Sequence, residues 1–229
     1  MTLRFAGAAM SLAGILFIGR IAPVVAKKPE DIAFPPANSE ELIKLAASAG
    51  AAWPIAHVLG LVAVVLVVFA YWRHGEALAK AGHERVGRIA AFIAATGFGL
   101  FAIALVIDGF VVYEAALRSM NNPADAALLK KAGDAHQLAI LFFTPAMFGM
   151  FLAMGVLSSR MLHGYVHSRW LGVIGQIIAI AAITLYLTGL AGPHWDNMQT
   201  GGLAMMLGYL WHIIIGLAAL FGRGVRVSA

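Results

Sequence analysis

The sequence predicts an all-α fold: a polytopic membrane helical bundle of six transmembrane helices, with N- and C-termini cytoplasmic. Three observations predict it. Of 229 residues, 61% are hydrophobic and only 12% are charged, against about 25% charged in a typical soluble domain. That leaves too little polar surface to cover a globule in water. Six stretches reach the roughly 20 apolar residues that a helix needs to cross a hydrocarbon core: 3–26, 51–72, 88–117, 137–158, 169–190 and 202–221. These stretches are apolar on nearly every face, as expected where lipid replaces water. Neither a soluble domain nor a low-complexity linker interrupts them, so residues 1–229 are read as one membrane domain.

Each element has its own justification. The first span carries Arg4, an apolar run and the ending Val24-Val25-Ala26. It resembles a secretory signal and is read here as a retained helix. Arg20, in its last third, is expected to snorkel to the surface. The loop 27–50 holds Pro29, Pro35 and Pro36, then Asn38-Ser39-Glu40-Glu41. Asn38 or Ser39 can accept the free amides of a helix start, and the glutamates favour its positive end. A short amphipathic helix on the membrane surface follows, a lid for what lies beneath. Asn121-Asn122-Pro123 is expected to separate the third span from another short helix at 124–131. Pro145 is expected to kink the fourth span and free a carbonyl, a mark of a cavity.

Placing the charges orients the bundle. With both termini inside, the inner side holds nine Lys or Arg and the outer side six, as the positive-inside rule requires. The sixteen basic residues against eleven acidic ones therefore reflect topology and contact with anionic lipid, not nucleic-acid binding. Trp53 and Trp195 fall at the outer interface and Trp72 and Trp170 at the inner one, as aromatic belts. The expected location is a bacterial inner membrane, and the expected partners are the lipid bilayer and other membrane subunits.

Ionisable residues inside spans are costly and carry a functional hypothesis by default. His57, Asp108 and His136 all fall near the outer edge of their spans, and Glu114 lies nearly two turns beyond Asp108. His194 and Asp196, in the tight loop Gly192-Pro193-His194-Trp195-Asp196, close the same end. Imidazoles and carboxylates at one level can bind a divalent metal ion, with His57, Asp108, Glu114 and His136 as ligands. They can equally form a proton-transfer site in which a carboxylate sets a histidine tautomer. The plainer alternative pairs Asp108 or Glu114 with Arg118 or Arg20.

His57, His136 and His212 are spaced by 79 and 76 residues, the mark of a possible triplicated hairpin. They lie 16, 24 and 11 residues from the next inner-side arginine. At 1.5 Å per residue the extremes differ in depth by roughly 20 Å, so His212 is too deep to join His136. His57 and His212 on different helices are instead the pair to test as axial ligands of haem b. Gly60, Gly97, Gly99 and Gly216 could make room for a macrocycle, or serve close helix packing. The Met147-Phe148-Gly149-Met150 and Met205-Met206 patches read as packing, and His163 and His167 as headgroup-level residues. Without cysteine, thiolate nucleophiles, Cys-ligated zinc and iron–sulfur clusters are ruled out. No phosphate loop, nucleophile elbow or His-Glu-x-x-His spacing occurs.

The stretch Ser158-Ser159-Arg160-Met161-Leu162, then Ser168-Arg169-Trp170-Leu171-Gly172-Val173-Ile174-Gly175, resembles the fourth-to-fifth-span connection of a bacterial six-helix integral membrane protein family of unknown function. The first span, through Leu3-Arg4-Phe5-Ala6-Gly7 and Ala13-Gly14-Ile15-Leu16, is similar as well. The residues His163–His167 stand where that family has a short proline-containing turn. The resemblance implies the six-helix fold and carries no site residue. The expected function is therefore a small multi-pass membrane protein whose outward-facing His/Asp/Glu pocket binds a metal or haem. The alternatives are a non-catalytic accessory subunit of a larger membrane complex and a proton-coupled small-solute transporter.

Overall fold

A computed structural model describes residues 3–32, 36, 39–121, 126–163, 168–189 and 194–221, with the side chains of 39, 121, 126, 188–189 and 194–201 left undescribed. Every described element is helical. In chain order they are α1 (Leu3–Gly19), α2 (Ala22–Val25), α3 (Ser39–Ala49), α4 (Ala52–Leu78), α5 (Glu84–Val106), α6 (Tyr113–Asn121), α7 (Ala126–Leu162), α8 (Arg169–Gly189) and α9 (His194–Leu220). The kinked segment Ala79–His83 joins α4 to α5, and the π-helical segment Ile107–Val112 joins α5 to α6.

Five helical stretches are long and apolar enough to cross a membrane. One of them, Ala52–Met120, has 69 residues, about 100 Å at 1.5 Å per residue, far more than one bilayer. Gly82 resolves the excess. Its φ of 84° lies outside the helical region, a conformation that costs any other residue steric strain. There the chain folds back, so that α4 and α5 pack side by side. Among the described residues the candidate spans number six when the two arms of that stretch are counted separately, and five when it is counted once.

The long helices close into a ring in which α1 contacts α4, α4 contacts α5, α5 contacts α7, α7 contacts α8, α8 contacts α9, and α9 returns to α1. Apolar residues such as Phe92, Leu141, Val65 and Trp170 point outward and are more than two-thirds exposed, which only a lipid surround makes tolerable. Between apolar helices in lipid the attraction is close packing, and small residues provide it. A Cβ on Gly97 would sit 2.7 Å from the Gly149 backbone, and one on Gly216 would collide with Ser11 Oγ and the Gly7 carbonyl. Gly97 and Gly216 are therefore filled by neighbouring helices. Neither leaves room for a macrocycle.

The interior forms two layers. The larger cluster is built around Phe17, Tyr71, Phe98, Phe101, Met147 and Trp211. Met147 and Met150 belong to it, as packing predicts. A smaller cluster sits at the other end, where Leu42, Leu45 and Ala46 of α3 meet Trp53, Val112 and Ala116. So α3 begins at Ser39 as expected, yet its apolar face is buried on α6 and α7 and it does not lie free on the lipid surface. The separate helix expected at 124–131 is absent: α7 runs unbroken from Ala126 to Leu162, through Pro145.

Candidate functional site

The site grows out of one wide turn. In the π-helical segment Ile107–Val112 each amide reaches one residue further back than in an α-helix, a geometry frequent at functional sites. Gly109 in that segment lets α4 approach: a Cβ there would overlap the Cβ of His57. Asp108, next to it, faces two histidines. His57 Nε2 lies 3.2 Å from Asp108 Oδ2, and His136 Nδ1 lies 3.0 Å from Asp108 Oδ1. The imidazoles are 6% and 4% exposed. Trp53 Nε1 donates to the Asp108 backbone carbonyl at 3.0 Å, and the Trp53 and His57 rings are 5.0 Å apart.

Hydrogen-bond accounting sets the proton content of this triad. His57 Nδ1 lies 2.8 Å from the Trp53 carbonyl oxygen, which can only accept, so Nδ1 holds a proton. Nε2 of a neutral His57 then presents a lone pair to a carboxylate oxygen, and the contact closes only with a proton on the line between them. A further proton lies between His136 Nδ1 and Oδ1. With a proton on each of the two imidazole–carboxylate contacts the triad holds three protons, one more than two neutral imidazoles and a carboxylate. At three its net charge is zero, the state that a low-dielectric setting favours.

The triad forms one end of a cavity of about 250 Å³. Its walls are apolar residues such as Val24, Leu42, Leu45, Phe101, Leu105 and Phe143, with α3 forming the cover. The other polar groups are Arg20, Thr144 and Tyr186. Thr144 Oγ1 donates to the Ile140 carbonyl at 3.1 Å, and the Tyr186 hydroxyl is hydrogen-bonded to the Thr144 hydroxyl. Arg20 follows the break between α1 and α2 and turns inward, its guanidinium carbon 5.9 Å from the Phe101 ring centre. Gly60 leaves room for it, since a Cβ there would lie 3.2 Å from Nη1.

The sequence-predicted residues separate into two groups. His57, Asp108 and His136 come together. Glu114 does not: it forms an exposed i,i+4 pair with Arg118, the plainer alternative. Six residues make 1.67 turns, about 120° from a shared face. Among the described residues no group of three or more His, Asp or Glu side chains is arranged to hold a metal ion. The Asp108 oxygens lie at hydrogen-bond distance from the imidazole nitrogens, so the carboxylate and both rings face one another and not a common centre.

His212 lies elsewhere, as its depth predicts. Its Nδ1 donates to the Gly208 carbonyl at 2.6 Å, and its Nε2 accepts from the Tyr71 hydroxyl at 3.1 Å. The lone pair that an axial haem ligand needs is engaged by Tyr71, and Phe98 and Trp211 pack edge-on against the ring. His212 does not line the cavity that His57 faces. The His194 and Asp196 side chains and the turn 190–193 lie outside the described residues, as do the Trp195 side chain and His167. His163 is exposed, its Nδ1 donating to the Ser159 carbonyl at 2.8 Å.

Three contributors escaped the sequence. Trp53 reads as an interfacial anchor but is buried against Asp108, whereas Trp72 and Trp170 are exposed as belts require. Arg20 turns into the cavity where snorkelling predicts the surface. Tyr186 carries no sequence signal at all.

No family model, curated protein or solved structure matches this chain.

Proposed function

We propose that this chain is a six-span protein of a bacterial inner membrane, both termini cytoplasmic, that moves a small, largely apolar solute together with a proton. The observation that carries the proposal is the Asp108 carboxylate held between His57 and His136 at the polar end of an apolar cavity. A triad that carries a third proton on an imidazole–carboxylate contact can release it and take it back by a short shift along an existing hydrogen bond. Such carboxylate–histidine chains are the means by which membrane proteins pass protons across apolar surroundings. The cavity beside it is walled mostly by apolar side chains, so a solute seated there lies next to the proton that the triad can give up. In the proposed orientation the cavity faces outward, and Phe101, which lines it, packs against Phe17, which in turn stacks on Phe98.

The deciding experiment uses proteoliposomes with a trapped pH dye and an inward gradient of a small, largely apolar acid, with no membrane potential imposed. Wild-type protein is expected to acidify the interior faster than protein-free liposomes do, and Asp108→Asn to reduce that protein-dependent rate by about a hundredfold, the range of a lost proton-transfer group. Equal rates in the two proteins overturn the proposal.

A further inference from the structure

Charge accounting within the cavity points to the class of solute, and this inference rests on the reading of the triad as a proton store. The titratable or charged groups lining the cavity are Arg20, His57, Asp108, His136 and Tyr186. α3 contributes only the apolar Leu42 and Leu45. With three protons the triad is neutral, and a tyrosine hydroxyl is neutral at ordinary pH. Arg20 alone contributes a net charge, and its Nε is buried with no hydrogen-bond partner among the described residues. The Tyr209 hydroxyl, which acts electrostatically on Arg20, is likewise buried without a partner. A guanidinium in a cavity walled by Phe101, Phe143 and Leu105 carries a desolvation cost that one negative charge would offset.

We infer that the ligand is a monocarboxylate with a short apolar tail, its carboxylate on Arg20 and its tail along the Leu42, Leu45 and Phe143 walls. One guanidinium matches one carboxylate in charge and in fork geometry. A dianionic phosphate would bring a second charge with no second cation lining the cavity. The volume of about 250 Å³ leaves room for a tail of several carbons, for which hexanoate serves as the probe. Such an acid also explains why the proton store is adjacent. When the anion is present, Arg20 is neutralised by it and the triad keeps its third proton. When the anion leaves, the triad can release that proton, and the Asp108 carboxylate then balances Arg20. Anion and proton thus enter and leave together, an electroneutral exchange in which no covalent bond of the ligand changes.

Calorimetry on the full chain in nanodiscs tests this with hexanoate, hexanol and acetate as probes. Hexanoate is expected to bind about tenfold or more tightly than hexanol, the worth of one charge-assisted contact, and acetate to bind more weakly than hexanoate for lack of a tail. Repeating the titration in buffers of different ionisation enthalpy should show about one proton taken up per hexanoate in a solution that starts with the triad deprotonated. Arg20→Gln should erase the preference for hexanoate over hexanol. Phe143→Trp, which fills the cavity without touching a charge, should weaken both. Hexanol binding as tightly as hexanoate overturns the inference, as does hexanoate bound equally by Arg20→Gln, or no binding of hexanoate by the wild type. Hexanoate binding that depends on Arg20, beside proton flux that ignores Asp108→Asn, would leave the carboxylate site standing and remove the proton-coupled function.

Discussion

At the scale of single residues, Asp108 has two replacements with opposite consequences. Asparagine is nearly isosteric and offers one donor and one acceptor. Its amide N–H can donate to the His57 Nε2 lone pair while its oxygen accepts from His136 Nδ1, so both histidines remain satisfied in their neutral forms. Asp108→Asn is therefore expected to leave thermal stability within about 1 kcal/mol of wild type while removing the transferable proton. Asp108→Leu strips a partner from each buried imidazole and is expected to cost about 2–6 kcal/mol, at about 1–3 kcal/mol for each unsatisfied group. Unfolding of the two variants in one detergent checks the contrast. If both lose the same stability, the carboxylate serves packing and not proton storage.

The same residues mark how far side-chain chemistry is legible in one dimension. Depth along apolar spans is a sequence quantity, and it brought His57, Asp108 and His136 to one level and kept His212 away. Azimuth is less secure. Glu114 was expected beside Asp108 and lies about a third of a turn off, and the π-helical segment between them shifts the phase further. Arg20 shows a different gap. Snorkelling describes a lone arginine near a lipid surface, whereas a cavity on the other side of the helix offers the guanidinium polar company that no local pattern announces.

At the scale of elements, the bundle depends on close approach where α5 crosses α7. α5 leads into the segment that carries Asp108, and α7 carries His136, so their separation sets the geometry of the triad. The Gly97 Cα lies 2.7 Å from where a Cβ on Gly149 would stand. Gly97→Val forces the helices apart and is expected to cost about 1–3 kcal/mol, as overpacking does, with a lowered unfolding temperature and a lengthened His136–Asp108 contact. Histidine nitrogen resonances in labelled protein report the second effect: the His136 Nδ1 signal should move toward that of an imidazole without a carboxylate partner. Unchanged stability together with an unchanged spectrum would show that this crossing does not hold the site. Elements were legible where composition is decisive, as for the start of α3 at Ser39 and the turn between α4 and α5. They were misread where Asn121-Asn122-Pro123 suggested that a short helix precedes the fourth span. There α7 gains backbone hydrogen bonds and apolar contacts by continuing, and propensity yields to packing.

At the scale of the whole molecule, the proposed orientation makes a prediction that the composition renders easy to test. The chain has no cysteine, so a single introduced thiol reports only its own position. In intact cells a membrane-impermeant maleimide is expected to label Glu30→Cys, in the loop before α3. Arg85→Cys, beside the Gly82 turn, should be labelled only after the membrane is opened. The reverse pattern would invert the bundle and place the cavity on the cytoplasmic side.

Composition and hydropathy by themselves determined that this chain is a bundle of apolar helices, because lipid demands the same thing of every spanning segment: apolar side chains and a backbone that satisfies its own hydrogen bonds. They also determined the depth of each polar residue, since rise per residue is constant along a helix. Only the tertiary structure decided which polar residues meet. That depends on the rotation of each helix and on where glycines let two helices touch, and it depends on a wide turn at Asp108 that no residue type encodes by itself. The fold back at Gly82, the cover formed by α3 and the inward turn of Arg20 are consequences of packing between segments far apart in the chain, and the cavity exists only where they converge.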